Sequence, residues 1–333
     1  MPGDITTTGL INNMKNYLVT GGAGFIGSAI TKNLIQNGNS VTVLDDFSRG
    51  NIGKLRDVNQ DINFINVDIR NREKIINVFK DNNFSGVVHL AYINGTANFY
   101  TKPEEVLEVA ISGIQNVIEG IRSAKIEEVY LASSSEVYQS PRVFPTPEDI
   151  ELVVPDPSNP RYSYGLGKIL QEFMVLNFLK EVEKLVIFRP HNIYGPDMGF
   201  GHVVPELFLK IKESTEGFIE LKGNGKQQRS FCYIEDFMQA FEILADEKTP
   251  SGVYNVGSHF EAEIIDVAKH ISQLYNRKLE FRTSLPPLGE TSRRVPDLTK
   301  LSKMGYVPKY SINRGLELYK TWFDSEGKNR VIK

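Results

Sequence analysis

Short apolar runs alternate with amphipathic segments through the first half of the chain. The apolar runs are residues 17–20, 41–44, 64–67, 87–90, 129–132 and 185–189. The segments between them that place apolar residues at three- and four-residue intervals are 29–36, 72–79, 104–121 and 163–179. Strand-like runs separated by helical patterns are typical of parallel strands joined by crossover helices. The pattern therefore predicts an α/β fold with a doubly wound (Rossmann) parallel sheet.

The regular alternation ends near residue 190. Loops rich in Gly and Pro follow around 195–201, 223–225 and 286–296, with helical patterns at 204–211, 237–244, 264–275 and 312–322. A chain of 333 residues fits one large α/β domain with a smaller appended region. We expect a leader at 1–13, a dinucleotide-binding domain at 14–190, and a smaller, mixed substrate-binding region at 191–333.

Composition narrows the class of protein. The formal net charge of −3 argues against a nucleic-acid partner, because binding to phosphate backbones needs clustered excess Lys and Arg. Cys232 is the only cysteine, so a disulfide scaffold within the chain is excluded. The start of the chain lacks the features of a signal peptide, and no apolar stretch has transmembrane length. We therefore expect a cytoplasmic protein without a membrane or metal partner.

A glycine-rich turn separates the first predicted strand from its helix. Gly21, Gly24 and Gly27 occur in the segment GGAGFIG, with Phe25 and Ile26 between the last two. Glycine at these positions permits a tight turn, close approach of the backbone to a pyrophosphate, and close packing of the helix. The segment predicts a dinucleotide site.

Acidic residues follow the second predicted strand. Asp45 and Asp46 stand where a carboxylate would meet the adenosine ribose and repel a 2′-phosphate, which favours NAD over NADP. Arg49 weakens that preference because it can accept such a phosphate, and both aspartates are also common turn residues. Further candidate cofactor contacts after the next two strands are Asp68, Ile69, Leu90 and Ala91.

Candidate catalytic residues lie after the fifth strand and on the helix that follows. Tyr164 and Lys168 are four residues apart, so a helix places both on one face. A neighbouring ammonium lowers a tyrosine pKa. Ser134 and Glu136 follow the strand end, where they offer a hydroxyl to a reacting oxygen and a carboxylate for proton transfer. Both pairs also have an ordinary structural explanation. Tyr164 and Lys168 could lie on the surface face of a helix, and the serines before Glu136 could cap a turn or helix.

Six motifs together carry a family resemblance: GGAGFIG, LDDFSRGN, SSSEVY, YSYGLGK, FRPHNIYGP and GNGKQQRSFCYIED. The chain resembles the extended short-chain dehydrogenase/reductase family from about residue 17 to residue 310. The resemblance implies that Tyr164 takes the proton of a sugar 4-hydroxyl as hydride passes to NAD. It also implies that Ser134 binds the same oxygen and that Lys168 holds the nicotinamide ribose.

The same resemblance predicts the substrate and the assembly. It assigns contacts with a nucleotide-diphosphate sugar to Asn192, Arg229 and Arg294, and guanidinium groups suit phosphate oxygens because they donate two parallel hydrogen bonds. It further predicts a homodimer through the helices at 104–121 and 163–179.

The exact reaction stays open between related alternatives. Glu136 favours a 4,6-dehydratase slightly, because a carboxylate can remove the acidified C5 proton of a 4-keto sugar. A 4-epimerase comes next, and a UDP-glucuronate decarboxylase, which Pro160, Arg161 and Arg294 resemble, comes third. A non-catalytic NAD-binding regulator is the alternative from a different class. The segment 89–94 lacks the lysine of many 4-epimerases, and Gln139 stands where glycine is usual.

Overall fold

The computed structural model describes residues 14–286 and 289–327. The predicted leader at 1–13 lies outside this range. The strands are β1 (Asn16–Thr20), β2 (Ser40–Asp45), β3 (Ile62–Asn66), β4 (Gly86–His89), β5 (Glu128–Ala132), β6 (Lys184–Pro190), β7 (Ile193–Tyr194), β8 (Phe218–Leu221), β9 (Gln228–Ser230), β10 (Cys232–Tyr233), β11 (Gly252–Val256), β12 (Glu261–Glu263), β13 (Glu280–Thr283) and β14 (Arg293–Arg294).

Most of the α-helices lie between strands, although three follow one another between β4 and β5. The α-helices are α1 (Phe25–Gln36), α2 (Arg72–Asp81), α3 (Thr96–Thr101), α4 (Pro103–Glu108), α5 (Ile114–Ala124), α6 (Ser163–Phe178), α7 (Val203–Glu213), α8 (Ile234–Ala245), α9 (Ile264–Leu274), α10 (Thr299–Ser302) and α11 (Ile312–Trp322). Short 3₁₀ helices include Ile52–Val58, Ser135–Tyr138 and Pro160–Tyr162. None of the described helices is both long enough and apolar enough to cross a membrane.

Seven parallel strands form the main sheet, in the order β11, β6, β5, β4, β1, β2, β3. The order reverses direction at β1, because the chain moves to β2 and β3 on one side and to β4, β5 and β6 on the other. One apolar cluster packs on each face of the sheet. The predicted doubly wound fold is confirmed, and its topological switch point lies at β1, where ligands bind in such sheets.

The seventh strand of this sheet comes from the second half of the chain. β11 pairs in parallel with β6, with Val256 opposite Pro190. Helix α8 likewise packs on α1. The main sheet and the helices on its face are therefore completed by residues beyond the predicted domain boundary at 190.

The helix predicted at 104–121 is interrupted. A π-helical turn at Val109–Gly113 separates α4 from α5. At its end, Gly113 lies so close to Ile69 that a Cβ atom would fall 2.5 Å from Ile69 Cδ1. Periodicity predicted the correct span but did not detect the extra residue in this turn, because a π turn changes the phase of the pattern by only one position.

Small sheets of the second region lie beyond the carboxyl ends of the main strands. The three-stranded sheet has the order β12, β9, β14. Within it Arg229 of β9 is the register partner of Arg294 of β14. An apolar cluster beneath this region joins α7, α9 and α11. Two predicted substrate-binding arginines, 65 positions apart by their numbers, are thereby placed on adjacent strands.

Candidate active site

A cavity of about 740 Å³ lies between the carboxyl ends of the main sheet and the second region. Most predicted site residues line it: Gly21, Gly24, Phe25, Ile26, Gly27, Asp45, Asp46, Asp68, Ile69, Leu90, Ala91, Glu136, Tyr164, Lys168, Asn192, Arg229 and Arg294. Ser134 is not among the lining residues, but it hydrogen-bonds to Tyr164. The structure thus brings the predicted cofactor and substrate residues to one connected space.

The glycine loop at the start of α1 has the shape of a pyrophosphate cradle. Gly21 has a φ of +70°, and a Cβ on Gly27 would overlap the Gly21 carbonyl oxygen. Gly24 caps α1 without a side-chain acceptor. The amide groups of the first helical turn therefore remain available to an anionic ligand, and the helix dipole favours negative charge there. These features fit a dinucleotide.

Asp45 shapes this loop as well as bordering the cavity. Its carboxylate accepts hydrogen bonds from the amides of Ala23 at 3.0 Å and Phe47 at 2.9 Å. Burial raises its pKa, although these two hydrogen bonds oppose that rise. Arg49 donates to the Asn94 carbonyl rather than pairing with Asp45. Asp45, the predicted ribose contact, therefore lines the cavity without an ion pair to Arg49.

Tyr164 is almost fully buried against two aromatic rings. Phe99 stacks on it with ring centroids 4.6 Å apart, and Tyr92 meets it edge-on at 5.1 Å. Burial raises the pKa of Tyr164 to about 12, while its hydrogen bond with Ser134 acts in the opposite direction. Without further charge, the phenol is therefore protonated at neutral pH. Neither Phe99 nor Tyr92 was predicted, because their sequence positions carry no motif.

Lys168 lies at the base of the cavity. Its ammonium donates to the Ala132 carbonyl at 2.7 Å and to Gln171 Oε1 at 3.0 Å. Burial lowers its pKa to about 7, and the Glu172 carboxylate partly opposes that shift. The charged and neutral forms of Lys168 are therefore close in free energy at neutral pH, so a nearby charge or ring can shift the balance between them.

Glu136 is enclosed by two arginines. Arg294 donates to both carboxylate oxygens at 2.7 and 3.2 Å, and Arg161 Nη2 contacts the same two oxygens at 3.1 and 3.0 Å. Burial would raise the pKa of Glu136, but the charges and hydrogen bonds of Arg294 and Arg161 lower it to about 2. Glu136 is therefore a weak base held in a fixed ion-pair cluster.

The remaining predicted substrate residues surround this cluster. Asn192, with a φ of +43°, donates from Nδ2 to the Ser230 carbonyl at 3.0 Å. Arg229 donates to the Thr291 carbonyl at 2.6 Å, and burial and the nearby Arg294 lower its pKa to about 10. The guanidinium groups of Arg161, Arg229 and Arg294 thus line the same part of the cavity, where they can bind an anionic ligand.

Gly165 and Gly167 on α6 are explained by neighbouring side chains. A Cβ on Gly165 would overlap the Gln139 amide, and one on Gly167 would overlap the Tyr92 hydroxyl. Gln139 itself has a φ of +51° where related motifs have glycine. Both glycines therefore let neighbouring side chains pack closely against the backbone of α6.

Comparisons with known proteins agree with this arrangement. The model of the NAD dependent epimerase/dehydratase family matches residues 17–257. A UDP-N-acetyl-alpha-D-glucosaminuronate decarboxylase from Bacillus cytotoxicus is 31% identical over 319 residues, covering 93% of this chain and 98% of that protein. A putative UDP-glucose 4-epimerase from Methanocaldococcus jannaschii is 30% identical over 326 residues, covering 93% of this chain and 99% of that protein.

The fold of a solved relative is also similar. The crystal structure of UDP-glucose 4-epimerase with UDP-glucose from Thermotoga maritima has a TM-score of 0.83 and 28% identity, covering 93% of this chain and 98% of that one. The family match extends from β1 to the end of β11 and includes both the glycine loop and the Tyr164–Lys168 pair. The chain belongs to the NAD-dependent epimerase/dehydratase family of enzymes that modify nucleotide-sugars, and its cofactor is NAD.

Proposed function

We propose that this enzyme decarboxylates a nucleotide-linked uronic acid through a 4-keto intermediate. The observation that carries the proposal is the enclosure of Glu136 by Arg161 and Arg294, which lowers the pKa of Glu136 to about 2. The similarity over nearly the whole chain to a decarboxylase supports it.

The state of Glu136 separates two reactions that share their first step. A 4,6-dehydratase must remove the C5 proton, and a carboxylate with such a low pKa accepts a proton poorly. A 4-keto uronate needs no base at C5, because the electrons of the breaking C5–C6 bond pass into the C4 ketone as carbon dioxide leaves. The resulting C4–C5 enolate then takes one proton from water at C5, which restores the 4-ketone before it is reduced. The dehydratase, slightly favoured by sequence alone, is therefore less well supported than the decarboxylase.

The oxidation step uses residues at the base of the cavity. Bound NAD supplies reversible hydride acceptance from sugar C4, so the overall reaction has no net redox change. Tyr164 takes the proton of the 4-hydroxyl and returns it when the ketone is reduced. Ser134, which already hydrogen-bonds to Tyr164, orients the same oxygen. The charges of Arg49 and Arg161 lower the pKa of Tyr164 from the high value that burial imposes. Lys168, one turn further along α6, adds a positive charge that would stabilise the Tyr164 phenolate.

The arginines provide the charge that a uronate substrate needs. Arg161 Nη1 and Arg294 Nε are buried N–H groups that lack an acceptor among the described residues. Both residues retain donor capacity after binding Glu136, so a small rearrangement can satisfy the uronate carboxylate as well. Arg229 is assigned to the diphosphate with Asn192 beside it.

The reaction is tested by incubating the NAD-loaded enzyme with UDP-glucuronate, UDP-N-acetylglucosaminuronate, UDP-glucose, dTDP-glucose and GDP-mannose, and measuring product masses. We expect loss of carbon dioxide from a uronate. Loss of water from a neutral sugar would instead establish the dehydratase, and a product of unchanged mass with inverted C4 would establish the 4-epimerase.

A pair of neighbouring arginines provides the matched test of substrate charge. Arg294→Gln should lower kcat/KM for the uronate at least tenfold, since a charged hydrogen bond contributes about 1.5–3 kcal/mol. Arg293→Gln is the control, because Arg293 pairs with Glu261 and does not line the cavity. Equal effects of the two substitutions would contradict the proposed role of Arg294.

A further inference from the structure

Tyr92 occupies a position that nothing in the proposed reaction yet explains. It follows β4 and borders the cavity, and its ring centroid lies 4.2 Å from Lys168 Nζ. The same ring meets Tyr164 edge-on at 5.1 Å. One aromatic side chain therefore contacts both members of the Tyr164–Lys168 pair.

The backbone of α6 is shaped to admit this ring. A Cβ atom on Gly167 would overlap the Tyr92 hydroxyl and lie 2.8 Å from Ala110 Cβ. Glycine inside a helix costs about 1 kcal/mol relative to alanine. The Tyr92 hydroxyl is buried and has no hydrogen-bond partner in the described part of the chain. A hydrogen bond of the hydroxyl therefore does not explain the position of this ring. Contact between the ring face and the Lys168 ammonium does explain it.

Lys168 has no carboxylate partner of its own. None of the ion pairs among the described residues includes it, and its two acceptors, the Ala132 carbonyl and Gln171, are neutral. Glu172, on the next turn of α6, pairs with Arg189 at 2.7 Å, so its charge is compensated. The Tyr92 ring face is thus the electron-rich surface left for the third proton of the ammonium.

Other titratable groups around Lys168 do not supply a negative charge. His89 on β4 is buried, and burial together with the Lys168 charge lowers its pKa to about 3, so it is neutral. Burial raises the pKa of Tyr92 itself, so its phenol is also neutral. Arg49 and Arg161, which face Tyr164, are cations.

We propose that Tyr92 is a positioning residue that holds the Lys168 ammonium charged and in place beside Tyr164 through its ring face. This inference rests on the proposed roles of Tyr164 and Lys168 in oxidation, but not on which reaction follows. A cation over an aromatic ring is favoured more strongly when it is desolvated, as it is here. Loss of the ring would favour the neutral amine, and the surroundings of Tyr164 would then carry one positive charge fewer.

The test measures the pH dependence of cofactor reduction after mixing the holoenzyme with the nucleotide-sugar that it accepts. Because the ring favours charged Lys168, Tyr92→Leu should move the alkaline limb of the single-turnover rate to lower pH by about one unit. Tyr92→Phe keeps the ring face and should leave that limb in place. An unchanged limb in Tyr92→Leu, or equal shifts in both variants, would overturn the inference.

Two further measurements separate positioning from folding. Phenylalanines with increasing ring fluorination at position 92 keep the shape while weakening the negative ring face, so the limb should shift in graded steps. Tyr254→Leu removes a ring that also lies 4.2 Å from an ammonium, that of Lys300, away from the cavity, and should leave the limb unchanged. An alkaline limb that stays at the same pH as fluorination increases would contradict the inference. Undiminished turnover in Tyr164→Phe and Lys168→Met would instead defeat the proposed function.

Discussion

Arg294 Nη1 lies 2.7 Å from Glu136 Oε1, although the two residues are 158 positions apart in the chain. The first residue belongs to β14 of the second region, and the second follows β5 of the main sheet. This contact joins the second region to the main sheet at the substrate end of the cavity. Docking of the second region therefore determines the chemistry available to Glu136.

This cluster gives a testable pH dependence of stability. Glu136 has a folded-state pKa of about 2 against its ordinary value of 4.5, so its stabilising contribution is complete above about pH 4.5 and is lost as pH falls toward 2. Glu136→Gln should lower the melting temperature by roughly 5 °C at neutral pH, since removing one partner of a buried pair costs about 3–5 kcal/mol. The difference from wild type should shrink below pH 4.5 in scanning calorimetry.

The control for acid stability is Glu261→Gln, which breaks the more exposed pair with Arg293. Exposed pairs contribute about 0–1 kcal/mol, so its melting temperature should stay close to that of wild type at every pH. A constant difference between Glu136→Gln and wild type down to pH 2.5 would show that the ion pairs are not the cause.

Tyr164→Phe should reduce turnover at least a hundredfold, the lower end of what general bases contribute. The substitution removes one hydroxyl from a ring held between Phe99 and Tyr92, so packing is retained. Melting temperature and bound NAD should match wild type, which calorimetry and assay of the cofactor released on denaturation will measure. Activity within tenfold of wild type would exclude Tyr164 as the base.

Two glycine substitutions should separate folding from cofactor binding. Gly27→Ala forces a Cβ into the Gly21 carbonyl and should lower both the melting temperature and the NAD content of the purified protein. Gly24→Ala places its Cβ 3.1 Å from that oxygen, a contact that small shifts relieve, so the fold should persist. Because Gly24 lines the cavity, the added methyl group should still lower the NAD content. Full NAD content in Gly24→Ala would show that the pyrophosphate does not bind at this glycine loop.

The homodimer predicted from sequence remains to be measured, and the structure offers a surface for it. Large apolar side chains are exposed on α6 and the neighbouring π turn: Ile111, Leu166, Phe173, Leu176 and Phe178. Light scattering at micromolar concentration should give a dimer for wild type and a monomer for Phe173→Glu. Val307→Glu is the matched control, since both side chains are 59% exposed. A wild-type monomer would rule out the assembly.

The sequence alone determined the sheet and helix layers of the first half of this protein, and it predicted the residues of the cofactor site. Hydrophobic periodicity, the glycine turn and the Tyr164–Lys168 spacing are local features, because each depends on residues within a few turns of one another. They predicted the six sequential strands of the sheet and the doubly wound topology, which the structure confirms.

Only the tertiary structure decided how the substrate end is charged and packed. The enclosure of Glu136 by Arg161 and Arg294, the insertion of Tyr92 against Gly167, and the return of β11 to the sheet join residues far apart in the chain. Such contacts depend on how the second region packs against the main sheet, and a pattern confined to neighbouring residues carries no information about that packing. The same Glu136 that sequence presents as an available base is therefore, in the folded protein, an ion-paired carboxylate.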